Sequence, residues 1–462
     1  MTGMLAQFRS YERSARLLMV NQFTINLGFY MLMPYLAAHL SGTLGLAGWL
    51  VGLVLGVRNF SQQGMFLVGG ALADRFGYKP LIVAGCVLRT LGFATLGLVD
   101  SLSALLAASA ATGLAGALFN PAVRAYLAAA AGDRRLEAFA LFNVFYQAGI
   151  LLGPLVGMVL TGVNFRVTCL VSAGIFALLS VVQIRALPAR GDESAPDEAA
   201  ADESASGESA PGGAASGESA PGGAAADDSG RRRAGLLPLW RGVLGNRPFL
   251  LFSGAMIGSY VLSFQVYLAL PLEVRRLGGE GEFGTAAVAG MFAVSGLSTI
   301  LCQTRVTRWC KARMTAGRAL ARGLLTMGLA FVPLLAATAL PVPAGGLGRW
   351  ALAAVPPALC ALLLALGTMI TYPFEMDTIV RLSGNRLVAT HYGLYNTICG
   401  IGITLGNLLT GAALDASRSA GLPALPWIAL PALGLACSVA LHGLHRTGRL
   451  APSSAKLEAA MG

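Results

Sequence analysis

The residues of this sequence best placed to do chemistry are ionisable groups set in apolar runs. They are Glu375 and Asp377 of TYPFEMDTIV, Arg58 of VRNFSQQG and Arg89 of LRTLGFAT. A carboxylate shielded from water favours its neutral form, so it can take up and release a proton as its surroundings change. Elimination singles out the two acids: the others among the 22 acidic residues lie in loops, helix ends, tails or one long polar stretch. Both lie toward one end of their run, and the first apolar run offers Asn21, Gln22 and Asn26 but no acid. Ionisable groups inside a membrane are costly to bury and are functional candidates for that reason. Arg58, beside Asn59, Gln62 and Gln63, is expected to be a cavity or gating residue that could also take part in proton coupling. Arg89 is expected to form a structural pair or to snorkel. Asn26, Tyr30, Tyr260 and Gln265, with Ser263 and Tyr267, are expected to contact a substrate, because scattered polar and aromatic residues suit amphipathic ligands.

The elements that must position these groups are long. The chain has 462 residues, is 55% hydrophobic and only 12% charged, and its mean hydropathy is +0.66. The apolar residues form twelve blocks, from 17–38 to 426–445. Each is roughly the twenty residues that a helix needs to cross a bilayer core. Lipid offers the backbone no hydrogen-bond partners, so a spanning segment is a helix or part of a closed barrel. Barrel strands would be shorter and alternating. The reading is therefore an all-α membrane protein with twelve transmembrane helices.

The formal charge of +11 does not point to nucleic acid. With loops assigned alternately, most Lys and Arg fall on the side of both termini. Only Arg166, Arg275, Arg276, Arg349 and Arg418 fall on the other side. This bias predicts a multi-pass cell-membrane protein with both termini in the cytoplasm. The seven cysteines form no CxxC pair and the four histidines have no metal-ligand spacing, so no metal or cofactor is expected. No constellation supports enzyme activity. The expected partners are a small-molecule substrate, protons and the lipid bilayer, and the expected state is a monomer.

Residues 189–235 interrupt the pattern with Ala, Ser, Gly, Glu and Asp, including a tandem SGESAPGGAA, and read as a disordered cytoplasmic linker. The chain thus divides into a six-helix bundle over 1–188, the linker, a second six-helix bundle over 236–446 and a tail over 447–462. The halves resemble each other. FNPAVRAYL…GDRR…LFNVF aligns with TYPFEMDTIV…GNR…LYNTI, matching Pro121 with Pro373, Gly132 with Gly384 and Gly153 with Gly406. A parallel repeat of this kind places a substrate cavity between two bundles that rock in alternating access.

GALADRFGYKPLI, residues 70–82, is a compact charged turn between two apolar blocks. Gly77 permits a tight turn, while Lys79 and Arg75 hold the loop at the polar face. The stretch resembles motif A of the major facilitator superfamily through Gly70, Leu72, Ala73, Asp74, Arg75, Gly77 and Lys79, with Tyr78 where the motif has Arg. The resemblance implies a latch between Asp74 and the N-terminus of the eleventh helix, near Thr390. The equivalent loop of the second half, TRWCKARMTAGR, lacks the Asp, so a single latch is expected. GILLGPLVGM resembles motif C, associated with antiporter-type exporters, through Gly149, Gly153, Pro154 and Gly157. Glycines four apart permit close helix contact. LGFYMLMP resembles a first-helix motif of drug:proton antiporters. Where motif B places an Arg in the fourth helix, Thr112 stands here. Outside the linker, the chain resembles bacterial multidrug resistance proteins of the MdtH type. The resemblance implies a major facilitator fold exporting small hydrophobic or amphipathic compounds, often cationic, by proton antiport. The alternative is uptake of a small metabolite.

Overall fold

The computed structural model describes residues 2–188, 236–278, 282–341 and 346–448. The 189–235 linker reading and the tail beyond 448 lie outside the described residues. Among the described residues, twelve long helices, some interrupted, follow one another along the chain. In the first bundle, α1 is Arg13–Tyr30 continued by Met33–Ala38, α2 is Gly48–Phe76, α3 Tyr78–Leu98, α4 Leu102–Ala131, α5 Arg135–Val163 and α6 Phe165–Ala186. In the second, α7 is Arg247–Phe264 continued by Ala269–Gly278 and α8 is Glu282–Arg313. Then come α9 (Ala316–Leu329 with Val332–Ala337), α10 (Gly346–Leu382), α11 (Val388–Ser419) and α12 (Leu425–Arg446). No strand occurs among the described residues.

The three interrupted helices break for one reason. Proline has no N–H, so it cannot bond the carbonyl four residues earlier. α1 breaks at Met31–Leu32 ahead of Pro34, α7 makes a 3₁₀ turn at Gln265–Tyr267 ahead of Pro271, and α9 breaks at Ala330–Phe331 ahead of Pro333. α1 and α7 occupy equivalent places in the two bundles, and FYMLMP of one matches VYLALP of the other, pairing Tyr30 with Tyr267. The repeat seen in the sequence is also present in the backbone. Pro121 and Pro373 lie inside α4 and α10. Gly132 and Gly384 take φ of 50° and 59° in the turns that follow.

Nine stretches among the described residues are long and apolar enough to span a membrane, one of them covering both α4 and α5. α1 and α2 are not among the nine. α1 carries Arg13, Arg16, Asn21, Gln22 and Asn26, and α2 carries Arg58, Asn59, Gln62, Gln63, Asp74 and Arg75. The two helices least suited to lipid thus carry many of the polar candidates. The end of the bundle that carries Arg13, Arg75, Lys79, Arg135, Lys311, Arg381 and Arg446 is called the basic face below.

Candidate functional site at the bundle interface

On the basic face α2 crosses the start of α11. Leu387, the residue before α11, is left-handed and supplies no side-chain cap. The first N–H groups of a helix need acceptors from elsewhere. Asp74, from the other bundle, provides them. Its Oδ1 accepts from the Ala389 N–H at 3.2 Å, and its Oδ2 accepts from the Thr390 N–H and hydroxyl, both at 2.6 Å. The Tyr78 hydroxyl donates to Oδ1 at 3.3 Å, so the residue that departs from the motif serves the same carboxylate. Glycine permits the approach. A Cβ on Gly70 would lie 2.8 Å from the carbonyl carbon of Ala389, and one on Gly393 would lie 3.1 Å from Leu67 Cα. Gly77, at φ 91°, turns the chain from α2 into α3. Arg75 lies over the Phe76 ring. Lys79 lines a shallow cavity of about 520 Å³ with Glu12, Arg13 and Arg185.

The expectation of a single cross-bundle tie at this face is corrected. Lys311, at the end of α8, donates to Glu137 in the first turn of α5 at 2.8 Å. Arg135 pairs with Asp377 at 3.4 Å and donates to Asn385 at 2.9 Å. Helices α8 and α5 are the repeat equivalents of α2 and α11, so the second half carries its own tie built from other residues. Asp377 is therefore an ion-pair partner at the basic face. Deeper in, the buried side chains of Asn143 and Gln303 join α5 to α8 at 2.8 Å.

Glu375 is buried in α10, and its Oε1 accepts from the hydroxyls of Tyr260 at 3.0 Å and Tyr395 at 2.7 Å. Arg124, on α4 of the other bundle, stands within electrostatic reach of Glu375 and donates to Asn396 of α11 at 3.0 Å. Arg124 was not among the residues singled out in the sequence. It lies near the end of its apolar block and reads as a basic-face residue there. The repeat held the signal: with Pro121 matched to Pro373, Val123 aligns with Glu375 and Arg124 with its neighbour. Tyr395 was missed for a similar reason, since its equivalent, Phe142, is apolar.

The first bundle holds a second polar group. Arg58 on α2 donates to Gln62 Oε1 at 3.4 Å and to Asn59 Oδ1, and its guanidinium lies 5.2 Å from the Phe29 ring centroid. Arg89 is only 6% exposed and points into the bundle, lying 5.1 Å from the same ring and 5.4 Å from that of Phe176. The expected structural ion pair or snorkelling of Arg89 is corrected: its partners are aromatic faces. Asn26 donates to the Tyr146 carbonyl at 3.0 Å and accepts from Gln22 at 3.3 Å. It is thus an α1–α5 tie. The Tyr30 and Tyr146 hydroxyls are hydrogen-bonded. Gln265 is buried and bonds Val261 and Asn407 within the second bundle, at 2.9 and 3.3 Å. The motif C glycines seat α5 on α1. A Cβ on Gly149 would lie 2.5 Å from the Phe23 carbonyl oxygen, and one on Gly153 would lie 2.7 Å from Tyr30 Cβ. One on Gly157 would lie 2.8 Å from Tyr35, whose hydroxyl donates to the Pro154 carbonyl at 2.7 Å.

Two broken-helix bundles meeting over buried ionisable groups, with ties gathered on one face, define a multi-pass membrane transporter. The family profile of the Major Facilitator Superfamily matches residues 18–407, and the chain belongs to that family. It is 49% identical over 444 residues to an uncharacterized MFS-type transporter of Mycobacterium tuberculosis, covering 96% of this chain and 95% of that one. It is 28% identical to the multidrug resistance protein MdtH of Photorhabdus laumondii, covering 93% of each chain. MdtH of Salmonella schwarzengrund is likewise 28% identical over 92% of each. The crystal structure of the peptide transporter POT superposes with a TM-score of 0.63 at 18% identity, covering 94% of this chain and 95% of that one.

Proposed function

We propose that this transporter exports small hydrophobic or amphipathic compounds in exchange for protons, with the basic face toward the cytoplasm. The observation that carries the reading is the buried Glu375, held by Tyr260 and Tyr395 in one bundle and within electrostatic reach of Arg124 of the other. Ionised, Glu375 attracts Arg124 across the interface. Once it takes up a proton, that attraction is lost and the bundles separate more readily, because opposite charges in a poorly polarisable interior interact strongly. A proton is thereby converted into bundle movement. Asp74 holds the basic face closed until that movement breaks its hydrogen bonds. Similarity to MdtH and the match to motif C support export. No metal or cofactor is required, since the proton gradient supplies the energy.

The test is accumulation of ethidium and Hoechst dye in efflux-deficient bacteria expressing the chain. The expected result is low accumulation that a protonophore reverses and that Glu375→Gln abolishes at unchanged membrane expression. Dye accumulation equal to that of empty cells would turn the reading toward uptake of a metabolite. Uphill export undiminished in Glu375→Gln would remove this residue as the proton carrier.

A further inference from the structure

The charges buried in the first bundle do not suit a cationic cargo. Arg58 and Arg89 are within electrostatic reach of each other, share the Phe29 ring at 5.2 and 5.1 Å, and touch no carboxylate among the described residues. The Nε atoms of both are buried with no hydrogen-bond partner. Three other arginines are matched. Arg135 has Asp377, Arg276 has Glu273, and Arg124 has Asn396 with Glu375 in reach. Two guanidiniums within electrostatic reach of each other in a poorly polarisable interior repel, and the buried Arg89 lost its water shell on burial. Planar forks of N–H donors match the two oxygens of a carboxylate. Phe29, Phe93 and Phe176 form one connected aromatic group, and the Tyr30 and Tyr146 hydroxyls lie within electrostatic reach of Arg89.

We propose that Arg58 and Arg89 form a binding site for the acid group of an amphipathic aromatic carboxylate, whose apolar part lies against Phe29. This rests on the transport reading above and adds organic acids, held at a site of their own, to the compounds it carries. The half-exposed Arg58 would receive the acid and the buried Arg89 would hold it. Binding would offset the repulsion between the two cations, so occupancy should also stabilise the first bundle.

The experiment is equilibrium binding of dansylglycine and of its uncharged methyl ester to the full chain in lipid nanodiscs, read by dansyl emission against empty nanodiscs. The acid is expected to bind saturably and to weaken by at least about tenfold in Arg89→Gln. The ester is expected to show no Arg-dependent binding. Arg58→Gln, at a more exposed position, is the second variant should Arg89→Gln fail to fold, and the same acid-selective loss is expected there. Three results would each overturn the proposal: no saturable binding of the acid, equal binding of acid and ester, or acid binding unchanged in folded Arg58→Gln and Arg89→Gln proteins. The dye-export assay separates the two readings. Arg-dependent acid binding without dye export removes the multidrug reading and keeps the acid site. Dye export without acid binding removes the acid site alone.

Discussion

Both ties on the basic face join the first turn of α5 or α11 in one bundle to the end of α8 or α2 in the other. They occupy equivalent places in the repeat but differ in chemistry. At α2–α11 an anion caps a helix that lacks its own cap, through three hydrogen bonds, two of them at 2.6 Å, and a glycine-lined backbone crossing. At α8–α5 the contact is an ion pair whose members remain 50% and 30% exposed, with a second pair beside it at 3.4 Å. Hydrogen bonds to a charged group are worth roughly 1.5–3 kcal/mol each when well made. Exposed ion pairs contribute about 0–1 kcal/mol and are screened by salt. The two halves of a duplicated fold can therefore keep one geometric role while only one of them carries most of its energy. The first tie also demands a fixed backbone separation. The second, made by long flexible side chains, tolerates drift.

The sharpest way to break this asymmetry is Gly70→Ala. A methyl group there collides with the Ala389 backbone, and overpacking of this kind costs about 1–3 kcal/mol. Spin labels at Lys79 and Arg386 should report a basic face shifted toward the open state, and export should fall by roughly tenfold or more. An unchanged distance distribution would show that the crossing is looser than described. Asp74→Asn keeps the shape but loses the charge, and Asn presents one acceptor oxygen in place of two. A smaller shift in the same direction is expected, near tenfold, and a full wild-type response would deny the cap its role. Glu137→Gln should shift the same distances by no more than about twofold to threefold, and the difference from wild type should vanish in high salt. An effect as large as that of Asp74→Asn would make the two ties equal and overturn the comparison. Tyr78→Phe removes one hydrogen bond at 3.3 Å and should produce the smallest change, resolvable only when combined with Asp74→Asn.

Much of this was legible beforehand. The apolar blocks correspond to the twelve helices, because a chain in lipid must satisfy its own backbone. The 70–82 turn was legible because Gly77 permits a tight turn between two apolar blocks. The Asp74 partner near Thr390 was legible only through family resemblance. Other features stayed hidden. Arg89 sits in a run as apolar as its neighbours and gives no sign of which way it points. Arg124 reads as a residue at the membrane surface, and Asp377 as a carboxylate in the same setting as Glu375, though one ends in a partly buried ion pair with Arg135 and the other between two tyrosines.

By itself, then, the sequence determined the number and length of the helices, the duplication, and the positions at which helices can touch. These are properties of single segments: preference for lipid, an internal repeat, an absent side chain. Only the tertiary structure decided that Glu375 stands within electrostatic reach of Arg124, that Arg135 takes Asp377, and that Arg58 and Arg89 share a phenyl ring with no carboxylate in contact among the described residues. Pairing depends on the rotation and crossing of helices distant in sequence. Side-chain interdigitation between helices sets that rotation, and hydropathy along one helix carries no record of it.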